Sequence, residues 1–197
     1  MMKNTKNQLG LRIRTARKEK GINQTELANL LGKSLRTVQK YESGEIEVSI
    51  AMINEIARVL GTTSTYLIGY QTEQKPISNL ADVMEFLFHL DRIKELGFDI
   101  DVKRPPHYDG WECSITFNGK DMSTELNQDL CLFLEQFRDE RNNLKSYIST
   151  YETYQDWQDK TLAYYAQAEL TEKEVENLSP EERIRRRNAI LNEQLGK

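Results

Sequence analysis

The sequence predicts a mainly α-helical protein with a head of five short helices, followed by an α+β part that has a small antiparallel hairpin and long helices. Two observations support this fold class. Apolar residues recur at three- and four-residue intervals over most of the chain, as in amphipathic helices. The period changes to two only between Phe98 and Phe117, where such alternation is typical of strands.

The first half of the head contains clear signals for where helices begin and end. After a polar start that we expect to be frayed, helix 1 is predicted from about Gln8 to Lys20. Asn23 begins helix 2 with Glu26 as its capping-box partner, and Ser34 begins helix 3. Gly44 ends helix 3, since glycine readily takes the positive φ of a C-terminal cap.

Helix 3 has two different faces. Val38 and Tyr41 are spaced to pack inward. The outward positions are Leu35, Arg36, Gln39 and Lys40. An apolar back with an outer face of Arg, Gln and Lys suits entry into the major groove of DNA.

Two further helices complete the predicted head. Ser49 caps helix 4, Gly61 ends it, and Thr62 to Ser64 open helix 5. The residues expected to enter the core from these helices are Ile53, Ile56, Ala57, Leu60, Tyr66, Leu67 and Ile68.

From about Leu9 to Gly69 the chain resembles the Cro/phage-repressor (XRE-type) family of helix-turn-helix regulators. The resemblance lies in the Asn-Gln-x-Glu-Leu-Ala opening at 23–28, the Thr-Val-x-x-Tyr-Glu-x-Gly close at 37–44, and the ending at 60–69. It implies a repressor-like DNA-binding head in about the first third of the chain. It says nothing about the rest.

The resemblance also implies roles for individual residues. Gln24 is expected to contact a phosphate and brace helix 3, and Arg17 is expected to pair with Glu42. Leu35, Arg36 and Lys40 match the positions that meet base edges, with Ser34, Thr37 and Gln39 nearby. The acidic residues Glu45 and Glu47 depart from the family in the following loop and argue against phosphate contacts through its side chains.

The charge is divided unevenly along the chain. Residues 1–70 carry eleven Lys and Arg against six Asp and Glu, whereas residues 71–197 carry sixteen against twenty-five. A basic head on an acidic body agrees with a protein whose head binds nucleic acid. The chain has no apolar run long enough to span a membrane, so we expect a soluble, cytoplasmic protein.

We predict a head at 1–70, a linker at 71–77 and a C-terminal dimerisation or regulatory domain at 78–197. Ser78 is expected to cap a helix to about Leu96 that Gly97 stops. Strands around 98–102 and 111–117 then form a hairpin against that helix. A short third strand near 120–122, after the second strand, is left open.

Long helices follow the hairpin. Ser123 or Thr124 caps the next helix, which runs towards residue 168 either unbroken or with a break near Asn142-Asn143. Its aromatic belt is either core packing or a dimer seam, and consists of Tyr147, Tyr151, Tyr154, Trp157, Tyr164 and Tyr165. Ser179 and Pro180 begin a last helix, whose arginines are expected to pair with the acidic residues before them more than to contact DNA.

The sequence contains no catalytic constellation, metal-ligand spacing or phosphate-binding loop, so we expect neither an enzyme nor a bound metal or cofactor. His89 and His107 are interpreted as structural or solvated, and Cys113 and Cys131 as core residues. The predicted function is a sequence-specific transcriptional regulator, a dimeric repressor that binds double-stranded DNA at a two-fold operator. The alternative is an antitoxin-like or developmental regulator whose C-terminal domain binds a protein partner or small-molecule effector.

Overall fold

The computed structural model describes residues 2–70, 77–107 and 109–195, apart from the side chains of residues 2–7 and 194. The head consists of α1 (Met2–Glu19), α2 (Gln24–Leu30), α3 (Leu35–Ser43), α4 (Ile50–Leu60) and α5 (Ser64–Ile68). The following part consists of α6 (Leu80–Arg92), β1 (Asp99–Lys103), β2 (Glu112–Thr116), α7 (Asn127–Lys145), α8 (Tyr151–Tyr165) and α9 (Pro180–Leu195). The protein is therefore mainly helical, with a helical head and a later part that contains one antiparallel hairpin. The predicted linker at 71–77 lies outside the described residues except for Ile77.

The head has the helices that its capping residues predict. Asn23, Ser34, Ser49 and Thr63 each accept a hydrogen bond from a backbone N–H in the first turn of the helix that they precede. Helix α1 begins at Met2 rather than Gln8, so the polar start is helical and not frayed.

One hydrophobic core holds the five helices of the head together. Ile13, Leu27, Ile56 and Leu67 are fully buried in it, and they come from α1, α2, α4 and α5. The prediction that Tyr66 belongs to this core was wrong, because Tyr66 is 40% exposed. Helix α5 has little more than one turn, and with Leu67 directed inward its neighbour faces another side.

Helix α6 differs from its prediction at both ends. Asn79, not Ser78, caps it, in a capping box with Asp82. The helix ends at Arg92 rather than Leu96, because Ile93 is extended and forms an antiparallel β-bridge with Glu172. A partner from so far along the chain gives no local signal in the sequence.

The hairpin forms as predicted, and in it Ile100 lies opposite Ile115 and Val102 opposite Cys113. The prediction that Cys113 belongs to the core was wrong: Cys113 is exposed, because the apolar face of the hairpin is not covered. Its packing against α6 was predicted wrongly, since the apolar residues of the two elements do not cover each other. Asn127 holds the base of the hairpin instead: its side chain accepts a hydrogen bond from Gly97 N at 3.1 Å and donates to Gly97 O at 2.9 Å and Asn118 O at 3.2 Å. Residues 120–122 lie in turns and not in a third strand.

Two separate helices follow. Ser123 and Thr124 lie before α7, whose N-cap position is Leu126 without a side-chain cap. The break between α7 and α8 lies at residues 146–150, later than Asn142-Asn143. Of the aromatic belt, Trp157 stacks on Phe133 and Phe137 at 6.3 Å, as the core-packing interpretation expects, and Tyr147, Tyr151 and Tyr164 are exposed. Within the described residues, every helix is too short or too polar to cross a lipid bilayer.

Helix α8 packs on the head through α4 and α5, and one carboxylate fastens this contact. Asp159 accepts hydrogen bonds from Ser64 N at 2.7 Å and Thr65 N at 3.1 Å, and another from the hydroxyl of Thr65. Thr63 accepts from Tyr66 N at 3.1 Å. These bonds occupy the first backbone donors of α5, which a helix leaves without intrahelical partners. Asp159 thus caps a helix of the head from a helix almost a hundred residues later.

We expect Asp159→Ala to lower the free energy of unfolding by about 1–3 kcal/mol, because backbone donors in a partly buried contact lose their acceptor. Urea unfolding of the full chain measures this. Asp156→Ala is the matched control, since Asp156 lies on the same helix but pairs only with exposed Lys160, and should cost less than about 0.5 kcal/mol. Equal losses in the two variants would contradict the role given to Asp159.

Candidate nucleic-acid interface

Helix α3 is fixed at both ends and along its inner side. Ser34 Oγ accepts a hydrogen bond from Thr37 N at 3.1 Å and lies 2.8 Å from Thr37 Oγ1. Gly44, at φ 71°, donates its N–H to the carbonyls at the end of the helix. Val38 is 1% exposed and anchors the inner side in the core. The opposite side of the helix is therefore presented in one defined orientation.

That opposite side contains the residues that helical spacing predicted to face outward. Leu35 is 40% exposed, and Arg36 and Gln39 are also exposed, while Thr37 and Lys40 are half-buried. Arg36 forms no hydrogen bond or ion pair with any described residue. A guanidinium on a rigid helix has its hydrogen-bond donors available for an external acceptor.

Lys40 has a partner that the sequence did not indicate. Its Nζ lies 2.9 Å from Glu45 Oε1, in the loop after α3. Glu45 therefore neutralises a lysine that was assigned to bases or phosphates. An anion at this position has to compete with Glu45 for Lys40, which makes Arg36 the stronger cationic contact of the helix.

Beneath α3 lies a buried network of charged and polar groups. Arg17 donates to Glu42 through Nε at 2.5 Å and Nη2 at 3.1 Å, and through Nη1 to the carbonyl of Ile22 at 2.8 Å. Arg17 and Glu42 are only 7% and 9% exposed. The hydrogen bond to Glu42 raises the pKa of Arg17 further above its ordinary value, against the opposite effect of burial. The charge of Arg17 is therefore permanent.

Gln24 belongs to the same network. Its Nε2 donates to Glu42 Oε2 at 2.8 Å, so α2 is tied to α3 through this side chain. The network joins α1, α2 and α3 at one carboxylate. In this arrangement the Gln24 amide is engaged with the protein, and a phosphate contact would use its remaining hydrogen-bonding capacity.

Two of the four arginines of α9 are engaged with acidic residues. Arg186 forms ion pairs with Glu176 at 2.8 Å and Glu182 at 3.3 Å, and Arg185 pairs with Glu182 at 2.8 Å. These contacts reduce the positive charge that α9 presents to a nucleic acid. Arg183 donates to the carbonyl of Leu178 at 3.1 Å, and Arg187 forms no hydrogen bond or ion pair with any described residue.

The comparisons with known proteins concern the same segment. A family model described as helix-turn-helix matches residues 13–67. Residues 13–67 belong to the helix-turn-helix family. Helix-turn-helix domains place their second helix in the major groove, and in this head that helix is α3. The match supports a DNA-binding transcriptional regulator.

Two solved structures are similar to the helix-turn-helix head. The clp gene regulator ClgR from C. glutamicum is 26% identical, with 32% of this chain and 82% of that chain covered and a TM-score of 0.32. The restriction-modification controller protein C.AhdI from Aeromonas hydrophila is 31% identical, with 32% and 93% covered and a TM-score of 0.31. None of the curated proteins compared with this chain matches it.

We expect Glu42→Ala to destabilise the helix-turn-helix head by about 3–5 kcal/mol, because it leaves Arg17 buried without its partner. Thermal or urea unfolding measures this loss. Glu55→Ala is the control, since Glu55 pairs with Arg58 at 2.6 Å on the exposed side of α4 and should cost less than about 1 kcal/mol. The double variant Arg17→Met, Glu42→Leu should recover most of the loss. Similar costs for the two glutamate variants would show that the network does not hold the head together.

Proposed function

We propose that this protein is a sequence-specific DNA-binding transcriptional regulator, a dimeric repressor that reads a two-fold operator with α3 in the major groove. The observation that carries the proposal is the outer face of α3. There Arg36 has no partner among the described residues, and Leu35 and Gln39 are exposed on a helix that a buried network holds. The protein acts by binding and not by catalysis.

Each residue of this face suits a particular contact. The guanidinium of Arg36 fits the O6 and N7 acceptors of guanine, and Leu35 fits the methyl group of thymine. Gln39 can donate to and accept from adenine. Lys40, released from Glu45, serves a guanine or a phosphate, and Ser34, Thr37 and Gln24 contribute polar groups at the start of α3 and α2.

A dimer follows from the size of the site. One head of this kind presents a single recognition helix, which buries too little surface for tight specific binding. Two heads related by a two-fold axis read half-sites one helical turn apart, roughly 34 Å. The part of the chain after the linker supplies the contact between the two copies.

We expect Arg36→Ala to lower the affinity for an operator selected from a random DNA pool by about 10- to 100-fold, with a smaller effect on non-specific DNA. The fold should be intact, because Arg36 makes no contact within the described residues that holds the head. Fluorescence anisotropy at two salt concentrations measures both affinities. Arg187→Ala, which removes the same charge from α9, is the control and should keep base preference. Unchanged preference in Arg36→Ala would remove α3 as the reading element.

A second candidate, regulation by a small ligand, is favoured by a cavity of about 280 Å³ between α7, α8 and the end of the head. Tyr70 of the head, Leu130, Leu162 and Tyr165 line it, with Asp129 as its carboxylate. Asp129 forms no ion pair within the described residues. Burial, followed by the charge of Asp129 and the neighbouring Tyr164, raises the pKa of Tyr165. An apolar cavity with one uncompensated carboxylate suits an apolar amine.

For this candidate we expect naphthylmethylamine to raise the melting temperature of the full chain more than naphthylacetate does, because only the amine compensates Asp129. Differential scanning fluorimetry with both compounds measures the difference. Asp129→Asn should remove the preference for the amine, and Ala166→Trp, which fills the cavity, should abolish both shifts. Equal shifts in all three proteins would place the compounds elsewhere.

A further inference from the structure

Helix α6 leaves its apolar side without a partner. On one side, at four-residue spacing, Leu80, Met84 and Phe88 are 68%, 48% and 69% exposed. The C-terminal end of the helix is fastened where Lys94 N donates to Thr171 O and Lys173 N donates to Arg92 O. Within the described residues none of the side chains of α6 is buried. A helix exposed to water does not usually carry so many apolar side chains, and an exposed apolar patch of this kind is typical of an interaction surface.

The hairpin has the same property. Because paired residues share a face, Ile100, Val102, Cys113 and Ile115 lie on one side of it, and all four are exposed. The opposite side holds polar pairs such as Asp101 with Ser114 and Lys103 with Glu112. Trp111, just before β2, is 73% exposed.

The body covers only the base of this hairpin. Phe98 and Phe117 contact each other there with ring centroids 5.7 Å apart, and Cys131 Sγ donates to Phe117 O at 3.6 Å. The outer rungs project beyond this anchor. A two-stranded hairpin is marginally stable in water unless a further strand or a helix covers its apolar face.

We propose that a second copy of this chain covers both surfaces: the apolar side of α6 in one copy packs on the apolar face of the hairpin in the other, and the reverse contact completes a two-fold dimer. The inference rests on the proposed function in that a two-fold operator needs two heads. When both contacts join the same two copies, the pairing is isologous and closes at two molecules.

The lengths of the two surfaces and the area that they bury agree with a second copy of the chain as the partner. A helix of thirteen residues is about 20 Å long, and strands of five residues are about 17 Å long. Since an aromatic side chain contributes roughly 150–250 Å², covering Phe88 and Trp111 together with the exposed aliphatic residues of both surfaces removes on the order of 800 Å² per copy. That is the area that a stable interface buries on each partner.

The test is the oligomeric state of the full chain by sedimentation equilibrium. The wild type should be a dimer, and Phe88→Glu should raise its dissociation constant at least about 100-fold, since a charge cannot be buried against the hairpin without a partner. Its fold should be unchanged by circular dichroism because Phe88 is largely exposed within one copy. Tyr151→Glu, a 64% exposed residue of the aromatic belt, is the control and should stay dimeric. A monomeric wild type, or dissociation by Tyr151→Glu and not by Phe88→Glu, overturns the proposal.

Cross-linking tests which surfaces meet. In Phe88→Cys, Cys131→Ser, a short bismaleimide should join residue 88 of one copy to the native Cys113 of the other, because no further cysteine is left, and adding Cys113→Ser should abolish the product. A product that survives Cys113→Ser means that α6 packs on the partner's α6, which overturns the proposed pairing.

DNA binding separates this inference from the proposed function. A dimeric Phe88→Glu with normal operator affinity overturns the interface and leaves the regulator intact. Loss of the dimer together with loss of operator affinity supports both. Wild-type protein that dimerises through this surface yet has no preferred DNA sequence supports the interface and removes the proposed function.

Discussion

The buried contact of Arg17 with Glu42 is the constraint on which the head depends. Removing two charges from water costs several kcal/mol for each ion, and only close geometry with further hydrogen bonds recovers that cost. Here the guanidinium makes two bonds to the carboxylate and a third to the carbonyl of Ile22, while Gln24 donates to the same carboxylate. Three helices meet at one charged centre, which leaves little freedom in the direction that α3 faces.

Such rigidity matters because α3 is a short helix with few contacts to offer. Lys40 is compensated by Glu45, and Arg185 and Arg186 of α9 are compensated by Glu176 and Glu182. Residues 71–197 are acidic overall, which opposes non-specific attraction to phosphates. A protein with this charge distribution attracts DNA through its overall electrostatic field less strongly than a uniformly basic protein does. Under the proposed function, correct placement of Arg36 and its neighbours therefore has to supply much of the discrimination.

The sequence predicted those features that a few neighbouring residues determine. The caps at Asn23, Ser34 and Ser49 depend on a side chain and a backbone amide three positions later, so short patterns were sufficient. The antiparallel hairpin followed from the alternation of apolar residues in two neighbouring segments, 98–102 and 111–117. The placement of Leu35, Arg36 and Gln39 on an exposed face followed from helical spacing with Val38 inside.

What the sequence could not predict depends on partners far along the chain. The end of α6 is set by Glu172, and the contact between head and body is set by Asp159, which looks like any other exposed acidic residue of a helix. Lys40 and Glu45 are close in sequence, but the turn at Gly44 decides whether they meet. Tyr66 was misplaced because a one-turn helix presents too few residues to define a face.

The contact at Asp159 also changes how the two parts of the chain are related. A head joined to its body by a polar linker alone could take many orientations, and the separation of two heads in a dimer would vary with them. Asp159 fastens α8 to the first turn of α5, and α5 packs on α1 in the core of the head. The orientation of the head is therefore fixed relative to α8. In a dimer built through the body, the distance between two recognition helices is then set by the packing of folded elements rather than by the length of residues 71–77.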